Sequence, residues 1–171
     1  MTTPRKKKSV KIRAGILTCS DKGSQGKRKD TAGHVIKKIL RKELRAEIVK
    51  YEILPDEKVL ISKKLQEWCD EENLCLIITT GGTGIAARDN TPEATMPVLH
   101  FEIPGISEML RLEGYKKTPF AVLSRAVCGI RGKTLIINLP GSEKAVTESL
   151  EVLLPIIPHA LELLAGKTGH K

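Results

Sequence analysis

Aromatic side chains are scarce in this chain of 171 residues, with one Trp, two Tyr and two Phe making up 3% of it. Sequence-independent binders of single strands need aromatic platforms on which bases stack. Neither helix-turn-helix nor zinc-finger spacing appears, so nucleic acid is not an expected partner. No run of about 18 apolar residues occurs, which excludes a membrane span. The N-terminus also lacks the apolar stretch of a signal peptide. The four cysteines, Cys19, Cys69, Cys75 and Cys128, form no C-x-x-C pair and sit inside apolar segments. That is the pattern of reduced thiols in a cytoplasmic protein. His34, His100, His159 and His170 share no metal-ligand spacing with one another or with the cysteines, and no serine stands in a nucleophile elbow. Zinc chemistry and acyl transfer therefore find no support.

What is present is aliphatic and charged, with 40% hydrophobic and 29% charged residues. A chain of this length fits one domain that buries about 70% of its unfolded surface and needs no disulfide or metal staple. With few aromatics, Ile, Val and Leu must build the core, which favours alternating strands and helices. The net charge is +9, and Arg5 to Lys8 alone supply four positive charges. These read as a solvated, flexible basic tail over residues 1–9, followed by a single domain over 10–171. A positive field also suits a small anionic substrate.

The apolar run Val10–Thr18 reads as a strand leaving into a polar loop, Asp21–Asp30. Thr31 offers an N-cap for an amphipathic helix with Val35, Ile36, Ile39, Leu40 and Leu44 on its apolar face. Ala46–Leu54 reads as a second strand, ended by the turn Pro55-Asp56-Glu57. A second helix follows with Ile61, Leu65 and Trp68 buried, and then an apolar strand, Leu74–Thr79. Strand, helix, strand, helix, strand implies an α/β three-layer sandwich: a mostly parallel central sheet, right-handed crossovers and helices on both faces. In such sheets the ligand crevice lies beyond the carboxyl ends of the strands, so the polar loops after all three strands meet at one edge. Downstream, Thr91-Pro92 reads as an N-cap and first helical residue, with short helices near Ala94–Leu99 and Ile106–Leu112. A hairpin-like pair is expected around Gly129–Lys133, then a turn at Pro140-Gly141, a helix over Ser142–Leu154 and a last one over His159–Leu164.

The sharpest local signal is Thr80-Gly81-Gly82-Thr83-Gly84 after the buried third strand. Clustered glycines let successive backbone N–H groups turn toward one point and cradle an anion, or simply make a tight turn. The loop matches neither a Walker A nor a dinucleotide fingerprint. Asp89 follows the cradle and Asp56 follows strand two, and each is either a helix-capping carboxylate or a Mg²⁺ ligand, since Mg²⁺ takes one or two carboxylates plus phosphate oxygens. Two carboxylates at neighbouring strand ends beside a glycine cradle supply the positioning and charge neutralisation that nucleotidyl transfer needs. Ser20 and Asp21 close the first strand at the same edge. Arg125, after Ser124, either neutralises a phosphate or makes an ordinary ion pair. The turn Asn138-Leu139-Pro140-Gly141-Ser142 either binds an anion or caps the helix it opens.

Taken in order, Ser20-Asp21, Leu54-Pro55-Asp56-Glu57, the TTGGTG loop, Arg88-Asp89-x-Thr91-Pro92-Glu93-Ala94, Leu123-Ser124-Arg125 and Asn138-Leu139-Pro140-Gly141-Ser142 resemble the molybdopterin-binding MogA/MoaB family. The resemblance runs from about Val10 to Gly166, and Gly129–Gly141 looks more like the MogA, molybdopterin adenylyltransferase, branch. It implies a homotrimer that joins AMP from ATP to molybdopterin, releases pyrophosphate and hands its product to a molybdenum-inserting, MoeA-like protein. It implies that Asp56 and Asp89 are catalytic and hold Mg²⁺. Ser20, Asp21, Thr80 to Gly84, Thr91, Pro92, Glu93, Ser124, Arg125, Asn138, Pro140, Gly141 and Ser142 would then contact the two substrates. Which loop takes adenosine and which takes pterin stays open. Glu143 and Asn90 depart from residues common in relatives, and neither departure removes a proposed catalytic group.

Overall fold

The computed structural model describes residues 10–167, so the basic tail expected over 1–9 lies outside the described residues, as do residues 168–171. Strands β1 (Arg13–Cys19), β2 (Glu47–Leu54) and β3 (Leu76–Thr80) alternate with helices α2 (Thr31–Leu44) and α3 (Lys58–Asp70), as the periodicity requires. With β4 (Phe101–Glu102), β5 (Cys128–Arg131) and β6 (Thr134–Leu139) they form one sheet in the order β2-β1-β3-β6-β5-β4. Neighbours from β2 to β6 pair in parallel. β5 alone runs the other way, antiparallel to both β6 and β4. The hairpin read around Gly129–Lys133 is this β5–β6 pair, turned at Gly132 with φ of +57°.

Alternate residues of the central strands feed two separate cores, as a period of two demands. Ile16, Ile78 and Ile137 face α2, α5 (Pro104–Tyr115), α6 (Glu143–Leu153) and α7 (Ile157–Leu164), meeting Ile36, Leu40, Ile106, Val146, Leu150 and Leu161. Their neighbours Leu17, Ile77 and Ile136 face α3 and α4 (Thr91–Thr95), meeting Ile61, Leu65, Trp68 and Ala94. Each fully buried Leu or Ile contributes about 1.5–3 kcal/mol, whereas exposed ion pairs such as Lys11–Glu47, 2.7 Å apart, contribute about 0–1 kcal/mol. Aliphatic burial on both faces of the sheet therefore dominates stability.

Several local expectations are corrected. The polar loop after β1 opens with a one-turn helix, α1 (Asp21–Ser24). Asp30, not Thr31, is the N-cap of α2, because its carboxylate accepts from Gly33 N at 2.9 Å. The same buried carboxylate accepts from Thr18 Oγ1 at 2.6 Å and from the Tyr51 hydroxyl. Asn90, not Thr91, holds the N-cap position of α4, and the Thr91 hydroxyl donates to the Gly81 carbonyl instead. Strand β4 was not foreseen, α5 extends to Tyr115, and α7 begins at Ile157 with Pro158 inside its first turn.

The topology decides where a ligand goes. From β1 the chain passes by α2 to β2 on one side, then by α3 across to β3 on the other. The connections diverge at the carboxyl ends of β1 and β3, the switch point where open α/β sheets bind ligands.

Candidate active site

Beyond the ends of β1 and β3 lies a polar cleft of about 270 Å³. Of the residues singled out in the sequence, Ser20, Asp56, Thr80, Gly81, Gly82, Asp89, Gly141 and Ser142 line it. An adjoining apolar hollow of about 570 Å³ takes Thr83, Gly84, Ser124, Asn138 and Pro140 in its walls. Asp21, Thr91, Pro92, Glu93 and Arg125 line neither space.

The glycine loop is built by close backbone approach. Gly81 has φ of +92° and Gly82 of +64°, which is the region that favours glycine. Gly81 N donates to Leu139 O at 3.1 Å and Thr80 Oγ1 to Pro140 O at 2.6 Å, tying the loop after β3 to the turn after β6. From the other side Thr91 N donates to Gly82 O at 3.0 Å. The loop is a rigid floor held by β6 and α4.

Asp56 does not cap α3, whose N-cap residue is Glu57. Its Oδ2 accepts from Asp21 N at 2.9 Å, and Asp21 Oδ1 accepts from Asp56 N at 3.0 Å, a reciprocal pair joining the loops after β1 and β2. Asp56 Oδ1 is buried and, among the described residues, has no hydrogen-bond partner. Burial raises the Asp56 pKa, and the charges of Asp21 and Asp89 push the same way, against the Asp21 N–H. Asp89 Oδ2 accepts from Ala86 N at 2.8 Å, closing the short turn before α4. Arg88 forks onto Asp21 at 2.8 and 3.0 Å and reaches Glu57 at 2.8 Å. Its guanidinium holds the Asp21 carboxyl below the usual carboxylate range.

Other candidates turn inward. Arg125 donates to Gly84 O and Asp89 O, both at 2.7 Å, and pairs with Glu93, so its guanidinium clamps the 84–93 loop. Buried Asn138 donates to Thr79 Oγ1 at 2.9 Å and Thr95 Oγ1 at 3.0 Å, and accepts from Val127 N at 3.3 Å. Ser20 Oγ and Ser142 Oγ cap α1 and α6, accepting from Gly23 N and Ala145 N at 3.0 and 3.2 Å. Burial pushes the Cys19 thiol under the floor up to about 12, so it stays protonated at neutral pH and is no nucleophile.

Sequence reasoning missed Arg28, Lys29 and Asp30, which also line the cleft. The signal was present for Asp30, since Asp and Thr are both good N-caps and stand side by side. For Arg28 and Lys29 nothing local separates them from other surface cations.

A buried carboxylate oxygen without a partner among the described residues, on a residue that lines a polar cleft, suits a cation. Among the described residues no three His, Cys, Asp or Glu side chains cluster to hold a metal alone. Asp56 and Asp89 both line the cleft, and Mg²⁺ sites typically use one or two carboxylates together with substrate phosphates and water. Among the described residues no helix is long and apolar enough to cross a membrane.

Residues 15–159 match the family described as "probable molybdopterin binding domain". The chain is 45% identical over 156 residues to the molybdopterin adenylyltransferase of Helicobacter pylori strain J99, covering 91% of this chain and 89% of that protein. It is 46% identical over 153 residues to the molybdenum cofactor synthesis protein cinnamon of Drosophila melanogaster, covering 90% of this chain but spanning only 26% of that longer protein. Among solved structures, the molybdopterin biosynthesis enzyme MoaB of Thermus thermophilus superposes with a TM-score of 0.85 at 54% identity, covering 91% of this chain and 97% of that one. A MogA structure superposes with a TM-score of 0.84 at 38% identity, over 89% and 99% of the two chains.

Proposed function

The chain belongs to the molybdopterin-binding-domain family of molybdenum-cofactor biosynthesis, and from that premise we propose that it is a molybdopterin adenylyltransferase. ATP and molybdopterin give adenylyl-molybdopterin and pyrophosphate. The observation that carries the reading is two carboxylates on one cleft, Asp56 after β2 with a buried oxygen that has no partner among the described residues and Asp89 after β3. They flank β1 and so are not at neighbouring strand ends as expected.

Each element of the site has a chemical task. A phosphate oxygen of molybdopterin attacks the α-phosphorus of ATP. The bond to the bridging oxygen of the β-phosphate breaks, and its electron pair leaves with pyrophosphate. A phosphate nucleophile is already ionised at neutral pH, so no general base is required. The rigid floor of Gly81 and Gly82 sets the height of the reacting phosphates above the sheet. Asp56 and Asp89 would hold Mg²⁺, which supplies charge neutralisation on the ATP phosphates. Arg125 positions Asp89 through its carbonyl, and Arg88 holds Asp21 against Asp56. The adjoining hollow, bounded by Ile85, Leu110, Phe120 and Leu123, offers apolar surface to a heterocycle of either substrate.

The same reading places the protein in the cytoplasm, its four cysteines free, handing adenylylated product to a MoeA-like protein. It also makes the protein a homotrimer. Leu112 and Tyr115 of α5 are both more than half exposed, which leaves apolar surface on that helix available for association. Sedimentation should give a mass about three times the 18.8 kDa chain, and a monomer at micromolar concentration would refute that assembly. A MoaB-like paralogue with a different nucleotide specificity is the second reading, favoured by the 54% identity to a biosynthesis enzyme named MoaB.

Chelation tests the adenylyltransferase reading. With both substrates present, EDTA should stop pyrophosphate release and excess Mg²⁺ should restore it. Release unaffected by chelation would refute the roles given to Asp56 and Asp89.

A further inference from the structure

We propose that Arg28 and Lys29 form a subsite for the β- and γ-phosphates of the nucleotide, on the wall of the cleft facing Asp56 and Asp89, and hold the departing pyrophosphate. The inference rests on the adenylyltransferase reading and adds the groups that would recognise the polyphosphate.

The two walls come from opposite faces of the sheet. Asp56 and Asp89 precede α3 and α4, whose buried residues belong to one core. Arg28 and Lys29 precede α2, and Gly141 and Ser142 precede α6, and these two helices pack in the other core. All six residues line one cleft. The wall that carries Asp56 and Asp89 has Asp21 and Glu57 close by, and its nearby cations are already engaged. Arg88 is forked onto Asp21 and Glu57, and Arg125 onto Gly84, Asp89 and Glu93. Arg28 and Lys29 differ, because among the described residues their side chains make no hydrogen bond or ion pair while both residues line the cleft.

Their backbone is nevertheless fixed. The next residue, Asp30, is locked by Thr18, Tyr51 and Gly33, and Thr31 N donates to Lys29 O at 3.1 Å. Exposed, unspent cations on an anchored loop can close on an anion without giving up an existing partner. A triphosphate entering beside two or more carboxylates meets repulsion that one divalent cation offsets only in part, and two positive charges opposite supply the remainder. When the α-phosphorus–oxygen bond breaks, negative charge builds on the pyrophosphate, the group these two side chains face.

Calorimetric titration of the full chain with MgATP, AMP, inorganic pyrophosphate and molybdopterin, beside pyrophosphate-release assays, tests this. In the double variant Arg28→Ala/Lys29→Ala the Kd for MgATP and for pyrophosphate should rise about tenfold or more, with AMP unchanged. Arg28→Gln and Lys29→Gln, each alone, should share the loss. The control Lys22→Ala/Lys27→Ala removes the same charge from the same segment outside the cleft and should bind as wild type. Unchanged MgATP and pyrophosphate affinity overturns the subsite, as does equal weakening in the control, which would reveal only a general field. Weakened molybdopterin binding with intact MgATP binding assigns the cations to the pterin phosphate and also overturns it. A wild-type chain that binds neither MgATP nor pyrophosphate sinks the adenylyltransferase reading together with the subsite, whereas binding and turnover insensitive to the double variant sink the subsite alone.

Discussion

Asp56→Asn should reduce molybdopterin-dependent pyrophosphate release by about 10²–10³-fold, the scale on which removing one preorganised electrostatic group acts, while leaving the protein folded. The carboxylate holds one oxygen on Asp21 N and buries the other without a partner among the described residues. Burying unpaired charge costs free energy, and here burial, Asp21 and Asp89 all push the carboxyl toward its neutral form. The fold gains little from this charge, and the proposed reaction would depend on it. An asparagine keeps an oxygen for Asp21 N and removes the repulsion, so the melting temperature should hold or rise as activity disappears. Functional groups retained against stability behave in this way. Circular dichroism melts beside pyrophosphate assays read both quantities, and a variant that loses stability and activity together would make Asp56 a structural residue.

Gly81→Ala should produce the largest loss of stability among single glycine-to-alanine changes in the floor. Its φ of +92° is a conformation L side chains rarely adopt, and an added Cβ would press into the Cys19 carbonyl. That carbonyl belongs to β1, paired in register with β3, so relief means displacing a central strand. A strained backbone costs about 1–3 kcal/mol, and the backbone clash adds to it. A total on the order of 3 kcal/mol lowers the melting temperature by about 10 °C in a protein of this size. Gly105→Ala is the matched control, since nothing lies within 4 Å of the added Cβ and the site is in α5. There alanine should be neutral or stabilise by about 0.4–1 kcal/mol. Equal melting temperatures for the two variants would show that the loop is not a rigid floor.

The β1 to β3 half of the fold was legible because each helix has a clear apolar stripe and each strand has a polar exit. Once parallel order is inferred, the loops carrying Ser20, Asp56 and Gly81 must converge, and they do. β4 was illegible: two exposed residues, Phe101 and Glu102, have no alternation to read, and only pairing with β5 defines them. Side-chain direction was the larger gap. Thr91, Asn138 and Arg125 are residue types that serve a ligand or the fold equally well, and long-range partners turned all three inward. Arg28 and Lys29 were overlooked for the converse reason, since their place on the cleft follows from how α2 packs on the sheet and not from their neighbours in sequence.

If Asp56 and Asp89 drive adenylyl transfer to molybdopterin, the decisive readout is pyrophosphate release from ATP and Mg²⁺ by wild type and Asp89→Ala. Release that requires molybdopterin, and that falls by about 10²-fold or more in Asp89→Ala, is the expected result. Tight molybdopterin binding with no pyrophosphate from wild type, or equal release by the variant, would contradict it.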